Sequence, residues 1–207
     1  MNRCQNCSAP LLAFRGRCEY CGSSNDIDRD LLIRDAGETA GEASKYPCPA
    51  CGAAMKSLEL GKHGGQPLTA DQCGACFGLF FPFYKLEAVL NDLASFGFLA
   101  DTKRLEDLSR NRTAETRVTY RKCPVCAKLM NRINFGQRSG VVTDQCHGHG
   151  VWLDSGELKR LVEWRNSGGQ LVDDQYRKDL DQERAKRAQR EKEKLAKLKR
   201  EADRQGG

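Results

Sequence analysis

The chain has 207 residues, of which 30% are charged and 7% aromatic, with a formal net charge of +6 and a mean hydropathy of −0.64. So little apolar matter, so thinly spread, excludes one large core, and no apolar run approaches the length of a membrane span. The opening MNRCQNCSAP lacks the charged-then-apolar shape of a signal peptide, so a cytoplasmic location is expected. Disulfides are disfavoured in a reducing cytosol, and cysteines spaced C-x2-C there read as metal ligands or redox pairs.

In chain order, Cys4, Cys7, Cys18 and Cys21 fill a first segment, 1–22, which reads as a short zinc ribbon. Residues 23–45, ending DAGETAGEASK, are polar and read as a flexible linker with a helical turn at 27–33. A second module, 46–98, holds Cys48, Cys51, Cys73 and Cys76. Leu58 and Leu60 have strand character, and GKHGG at 61–65 reads as a hairpin turn. Leu86, Val89, Leu90 and Leu93 form one face of an amphipathic helix. Residues 99–120 read as a linker with a short helix marked by Leu105 and Leu108, then a polar stretch, SRNRTAETR.

The third module, 121–169, begins with Cys123 and Cys126 and continues to Cys146 and His149. Val141-Val142-Thr143 has strand character, and GQRSG at 136–140 reads as a turn. Asp154 and Glu157 form a capping-box pattern, with Asp154 as the expected N-cap of a helix carrying Leu158, Leu161, Val162 and Trp164 and ended by Gly168-Gly169. Segment 170–207 is a highly charged tail. Leu180, Leu195 and Leu198 do not sustain a heptad, so a solvated single helix is expected, supported by pairs such as Glu183–Arg187 and Glu193–Lys197.

Ten of the 11 cysteines fall in five C-x2-C pairs, and Cys146 is left over. His149 stands where a partner cysteine would, which makes twelve ligands, or three tetrahedral zinc sites. The spacing follows from reach. Two thiolates separated by two residues can meet one ion from a tight turn, and a second such knuckle closes the shell. His147 lies too close to Cys146 for a normal knuckle, and His63 sits in a Gly-rich turn. CPAC and CPVC also match the C-P-x-C of thiol oxidoreductases. A second pair follows each one, however, without the βαβ pattern that such chemistry uses. The fold class expected is small, metal-stabilised α+β: three zinc ribbons, the last two each followed by a helix, and a C-terminal charged helix. Domains this small cannot bury enough surface to fold alone, so each module should need its metal.

The second and third modules align as versions of one unit. Met55 matches Met130, Asp71-Gln72-Cys73 matches Asp144-Gln145-Cys146, and Phe80-Phe81 matches Trp152-Leu153. Asp71 and Asp144 either bond knuckle N–H groups and ligands or only cap a turn. The pattern C-P-x-C, D-x-C-x2-[CH], W-L-D-x-G-E-L resembles the bacterial zinc ribbons of the transcription factor IIB type, closely over 121–168 down to Trp152–Leu158. Module two matches at the ligands and departs after them, with Phe-Phe-Pro for Trp-Leu-Asp. The whole chain looks like bacterial proteins that join a short N-terminal ribbon to two such domains. The resemblance implies zinc binding and the ribbon fold, and says little about activity.

The metal changes the charge. Eleven bound thiolates remove eleven charges and three Zn²⁺ return six, leaving the holo protein near about +1. The basic character is then local, in residues 184–200, where nine Lys and Arg face two Glu. Weak nucleic-acid contact there is one expectation, alongside a merely solvated face. Lys122, Lys128, Arg132 and Arg138 add charge without interleaved exposed aromatics. No Ser/His/Asp set, phosphate loop or open three-ligand zinc pattern is present in the sequence. The expected function is that of a non-enzymatic binding or adaptor module with a protein partner and no small-molecule substrate. The alternatives are a transcription-related nucleic-acid binder and a zinc–thiol redox switch.

Overall fold

The DQC triplets of the two later modules mark a repeat of strand register. The computed structural model describes residues 3–11, 17–28, 41–94, 100–110 and 118–205. In module two, β1 (Ala43–Pro47), β2 (Ala54–His63), β3 (Gln66–Cys73) and β4 (Leu79–Pro82) pair antiparallel in sequence order. In module three, β5 (Asn131–Asn134), β6 (Val142–Cys146) and β7 (Gly150–Leu153) do the same. Lys56 opposes Gln72 and Ser57 opposes Asp71, as Asn131 opposes Gln145 and Arg132 opposes Asp144. On the other side Asp71 opposes Phe80, and Asp144 opposes Trp152. Each matched residue therefore holds the matched place in its hairpin.

The two halves are one sheet. Among the described residues the strand order is β1-β2-β3-β4-β7-β6-β5, and the seam is an antiparallel β4–β7 pair. Leu79 opposes Leu153, Phe80 opposes Trp152 and Phe81 opposes Val151. Phe80 and Trp152 are counterparts in the repeat, so exchanging the halves maps the seam onto itself, about a local twofold through that pair. An edge strand reading Leu-Phe-Phe-Pro would otherwise present apolar side chains and open ladder groups to any passing chain.

Alternation along the seam separates two cores. Leu79, Phe81 and Leu153 point to the helices, where they join Leu86, Val89 and Leu90 of α1 (Lys85–Leu93) and Leu158, Leu161 and Val162 of α3 (Glu157–Asn166). Phe80 and Trp152 point to the other face, among Met55, Met130 and the cysteines of modules two and three. The short helix expected in 99–120 is α2 (Thr102–Arg110), which buries Leu105 and Leu108. Asp101 starts it by accepting the Arg104 N–H at 2.9 Å.

Three arginines bind the helical layer together. Arg104 pairs with Glu163, and Arg165 reaches Asn91 and Glu87 on α1. Arg160 is buried and donates to the Ser139 carbonyl at 2.9 Å and to the Leu108 carbonyl. A guanidinium suits this position because its planar fork can satisfy several carbonyls at once.

Two sequence expectations are corrected. Asp154 is not the N-cap of α3. That place belongs to Gly156, which adopts φ +89. Only half of the capping box forms, the Asp154 N–H donating to Glu157 Oε2 at 2.9 Å. The Asp154 carboxylate instead accepts from Trp152 Nε1 at 2.9 Å and from both sides of an Arg121 fork at 2.7 and 2.8 Å. A charged fork and an indole N–H outcompete the helix for that carboxylate. The second correction concerns the linker at 23–45. Asn25, Ile27 and Asp28 are buried, and Asp28 supplies the cap that Asp154 does not. Its carboxylate accepts the Gly156 N–H at 2.7 Å and the Lys159 N–H at 2.9 Å. Ser155 Oγ donates to the Asn25 carbonyl at 2.7 Å, so the N-terminal ribbon is docked on the start of α3. Burial pushes Asp28 up to about 6, even though both N–H groups favour its charged form. Residues 29–33 of the expected helical turn, 95–98 of module two and 111–117 of the second linker lie outside the described residues.

The chain divides into two units, 1–169 and 170–207. The second consists of nearly all of α4 (Gly169–Gln205), a helix held by local links such as Gln170 to Asp174, Gln175 to Asp179, Gln189 to Glu193 and Arg177 to Asp173. No helix among the described residues is long and apolar enough to cross a membrane.

Candidate metal centres

Five of the six knuckles are the same turn. In each, the first cysteine's N–H donates to the carbonyl five residues on, and its carbonyl accepts the N–H four residues on. This holds for Cys4, Cys18, Cys48, Cys73 and Cys123. The residue four positions on is always left-handed: Ser8, Gly22, Gly52, Phe77 and Ala127 lie at φ +57 to +76. The turn buries the first sulfur of each pair and aims N–H groups at it. Asn6, Ala50 and Ala75 donate to Cys4, Cys48 and Cys73 at 3.3–3.4 Å. Donors of this kind stabilise a thiolate.

The sixth knuckle differs. From Cys146, the His149 N–H closes back on the Cys146 carbonyl at 3.3 Å, and β7 starts directly at Gly150. One residue is missing here relative to module two, since Phe77 has no counterpart between His149 and Trp152. The imidazole occupies the fourth corner with Nδ1, 3.3 Å from Cys146 Sγ.

These turns bring all twelve expected residues together in three sets: Cys4, Cys7, Cys18, Cys21; Cys48, Cys51, Cys73, Cys76; and Cys123, Cys126, Cys146, His149. Within each set the potential ligand atoms lie within 4.8 Å of one another. His147 and His63 belong to none of them. A Zn–S bond of about 2.3 Å in a tetrahedron requires S···S edges of about 3.8 Å. The measured edges are 3.6 and 3.7 Å in the first set, 3.6 and 3.5 Å in the second and 3.7 Å in the third. All eleven cysteines are free thiols. The donor sets are therefore spaced for a single dication each.

The electrostatics agree. The Ser23 hydroxyl, 3.2 Å from Cys4 Sγ and 3.0 Å from Cys21 Sγ, pulls Cys4 down to about 5 and lowers Cys21 as well. Cys48 falls to about 5 through its contact with Cys76, which the same contact pushes up. The Lys128 N–H lowers Cys126, while burial raises Cys123 to about 11. Crowded sulfurs share charge unequally until a cation lets all of them ionise.

Residues 122–163 match the family model described as a transcription factor zinc-finger. The matched segment contains all four potential ligands of the third set and most of α3. No curated protein and no solved structure matches the chain. The zinc-finger match and the three four-residue sets support three zinc ions, one per set.

Around the ligands, sequence reasoning missed Ser23, Asp28 and Arg121. Arg121 joins Asp144 at 3.5 Å and Asp154 at 2.7 Å beneath the Trp152 ring edge. Asp144 thus supports the second knuckle through a salt bridge, whereas Asp71 lies in β3 opposite Phe80. The signal for Arg121 was its place two residues before Cys123, but nothing local showed which acid it would meet. Ser23, two residues after Cys21, is the kind of hydroxyl that a scan for second-layer donors could find.

Proposed function

We propose that this chain is a non-enzymatic, zinc-dependent binding or adaptor module whose partner is a protein. The observation that carries the reading is that each donor set has four members, the full complement of a closed structural site. A closed shell organises a surface and leaves no coordination position for a substrate. In this reading the twelve residues are the zinc ligands, each later module is a ribbon followed by a helix, and module two is a second domain of the transcription-factor type. The shared register of β2–β4 and β5–β7 supports that last assignment. Likeness to bacterial tandem-ribbon proteins and a cytoplasmic location, which suits eleven free thiols, belong to the same proposal. The experiment is affinity capture from the native host with the zinc-loaded chain, with nuclease treatment, and with a Cys48→Ser/Cys123→Ser control. A partner that survives nuclease and is lost in the control supports the proposal. Capture abolished by nuclease instead favours the second reading, a transcription-related nucleic-acid binder, which the zinc-finger match keeps in view.

A further inference from the structure

The helix α4 carries a charged surface that the zinc-centred reading does not use. At 3.6 residues per turn, Lys186, Arg187, Arg190, Lys194 and Lys197 fall on one side of it. All five are exposed. Asp179 and Glu183 line the same side just before them, so the face changes sign between Glu183 and Lys186. Within the cationic part no acid interrupts the stripe. Glu193 lies on its flank, where the Gln189 amide donates to it at 3.0 Å, and Ala188 and Leu195 lie on the far side. At 1.5 Å per residue the stripe is about 16 Å long.

A row of long cations without apolar anchors fits a regular polyanion. The stripe's surroundings narrow the choice. No aromatic residue occurs in 184–200, so there is no platform on which unpaired bases could stack, and single strands are disfavoured. A bare helix about 10–12 Å across fits the major groove of B-DNA, about 12 Å wide, whereas the RNA duplex groove is too deep and narrow. We infer that residues 186–197 of α4 form a binding surface for the phosphate backbone of duplex DNA, without sequence preference. This surface is independent of the protein partner proposed for the ribbons.

The test is fluorescence anisotropy of a short labelled DNA duplex with the zinc-loaded full chain, from about 50 to about 200 mM salt. Five neutralised phosphates give a slope of log K against log salt near about −4.5. The variant Lys186→Gln/Arg187→Gln/Arg190→Gln/Lys194→Gln/Lys197→Gln should lose most of the binding and most of the slope. Glutamine keeps helix propensity, and far-UV CD together with a zinc count of three verifies that the variant is folded. Unchanged affinity and slope in the variant overturn the inference, because the ribbons would then carry the contact. Tighter binding to a single strand, to an RNA duplex or to anionic vesicles than to DNA duplex overturns it equally, as does no binding at the lowest salt.

Discussion

Phe80 and Trp152 are cross-strand partners on the β4–β7 seam, and each is the other's counterpart in the repeat. Both are almost fully buried, at 2% and 1% exposure, and both pack with cysteines of the two later metal sets. The pair makes one core out of two metal modules. It therefore couples their stabilities, which separate ribbons on a linker would keep apart.

Phe80→Ala should destabilise the zinc-loaded protein by about 3–5 kcal/mol. The coupling is visible because both tryptophans lie in module three. Urea unfolding followed by tryptophan fluorescence should move to lower denaturant although the substitution is in module two. An unmoved fluorescence transition would mean that the halves unfold independently. Gly78→Ala tests the same seam by overpacking, since a Cβ there would sit 2.1 Å from the Trp152 ring.

Metal counting tests the ligand sets. Cys146→Ser should lower bound zinc from three ions to two, and His149→Ala should weaken the same ion, while His147→Ala keeps all three. Three ions retained by Cys146→Ser would break the twelve-ligand assignment. Chelation of all the zinc should abolish near-UV CD from 1–169, because modules of this size depend on metal for folding.

Asp28 makes stability depend on pH in the direction opposite to a salt-bridged carboxylate. Its folded value is raised from 3.8 to about 6 by burial. The folded state therefore binds the proton more tightly than the unfolded chain. The stabilising contribution is complete below about pH 4 and is lost as pH rises through about 6, by roughly 3 kcal/mol. Asp28→Asn cannot titrate. The stability difference between wild type and Asp28→Asn, measured at equal zinc across that window, should shift toward the variant as pH rises. A constant difference would show that the raised value is wrong. At low pH the variant should be the weaker by about 1–2 kcal/mol, since an amide oxygen accepts only one of the two N–H groups well.

The knuckle turn sets a backbone price that one substitution can read. Gly52 lies at φ +76 with nothing within 4 Å of an added Cβ, so Gly52→Ala should cost only the left-handed conformation, about 1 kcal/mol. Ala127 already holds the same place at φ +59. The variant should still bind three zinc ions, with thermal unfolding at fixed zinc displaced downward by a few degrees.

The zinc ligands were legible because their chemistry is local. Four donors must meet one ion, so Cys-x2-Cys and Cys146-x2-His149 carry their geometry in their spacing, and the helices around Leu86–Leu93 and Leu158–Trp164 announce themselves by period. The repeat was legible for the same reason, since equivalent residues were matched by DQC and Met55/Met130 before any strand was paired. What lay outside the local pattern was decided by competition among distant groups. Asp154 looked like a helix cap until Arg121 and the Trp152 N–H reached it, and the cap then came from Asp28, 128 residues before Gly156. Residues 25–28 looked like linker because short polar segments carry no period, yet they are buried by α3. The seam was the hardest to foresee. Phe80 and Trp152 showed two apolar strands in need of cover, and only the folded chain showed that each strand is the other's cover. Burying an apolar edge is favourable against any suitable partner, and which partner wins depends on the three-dimensional placement of both.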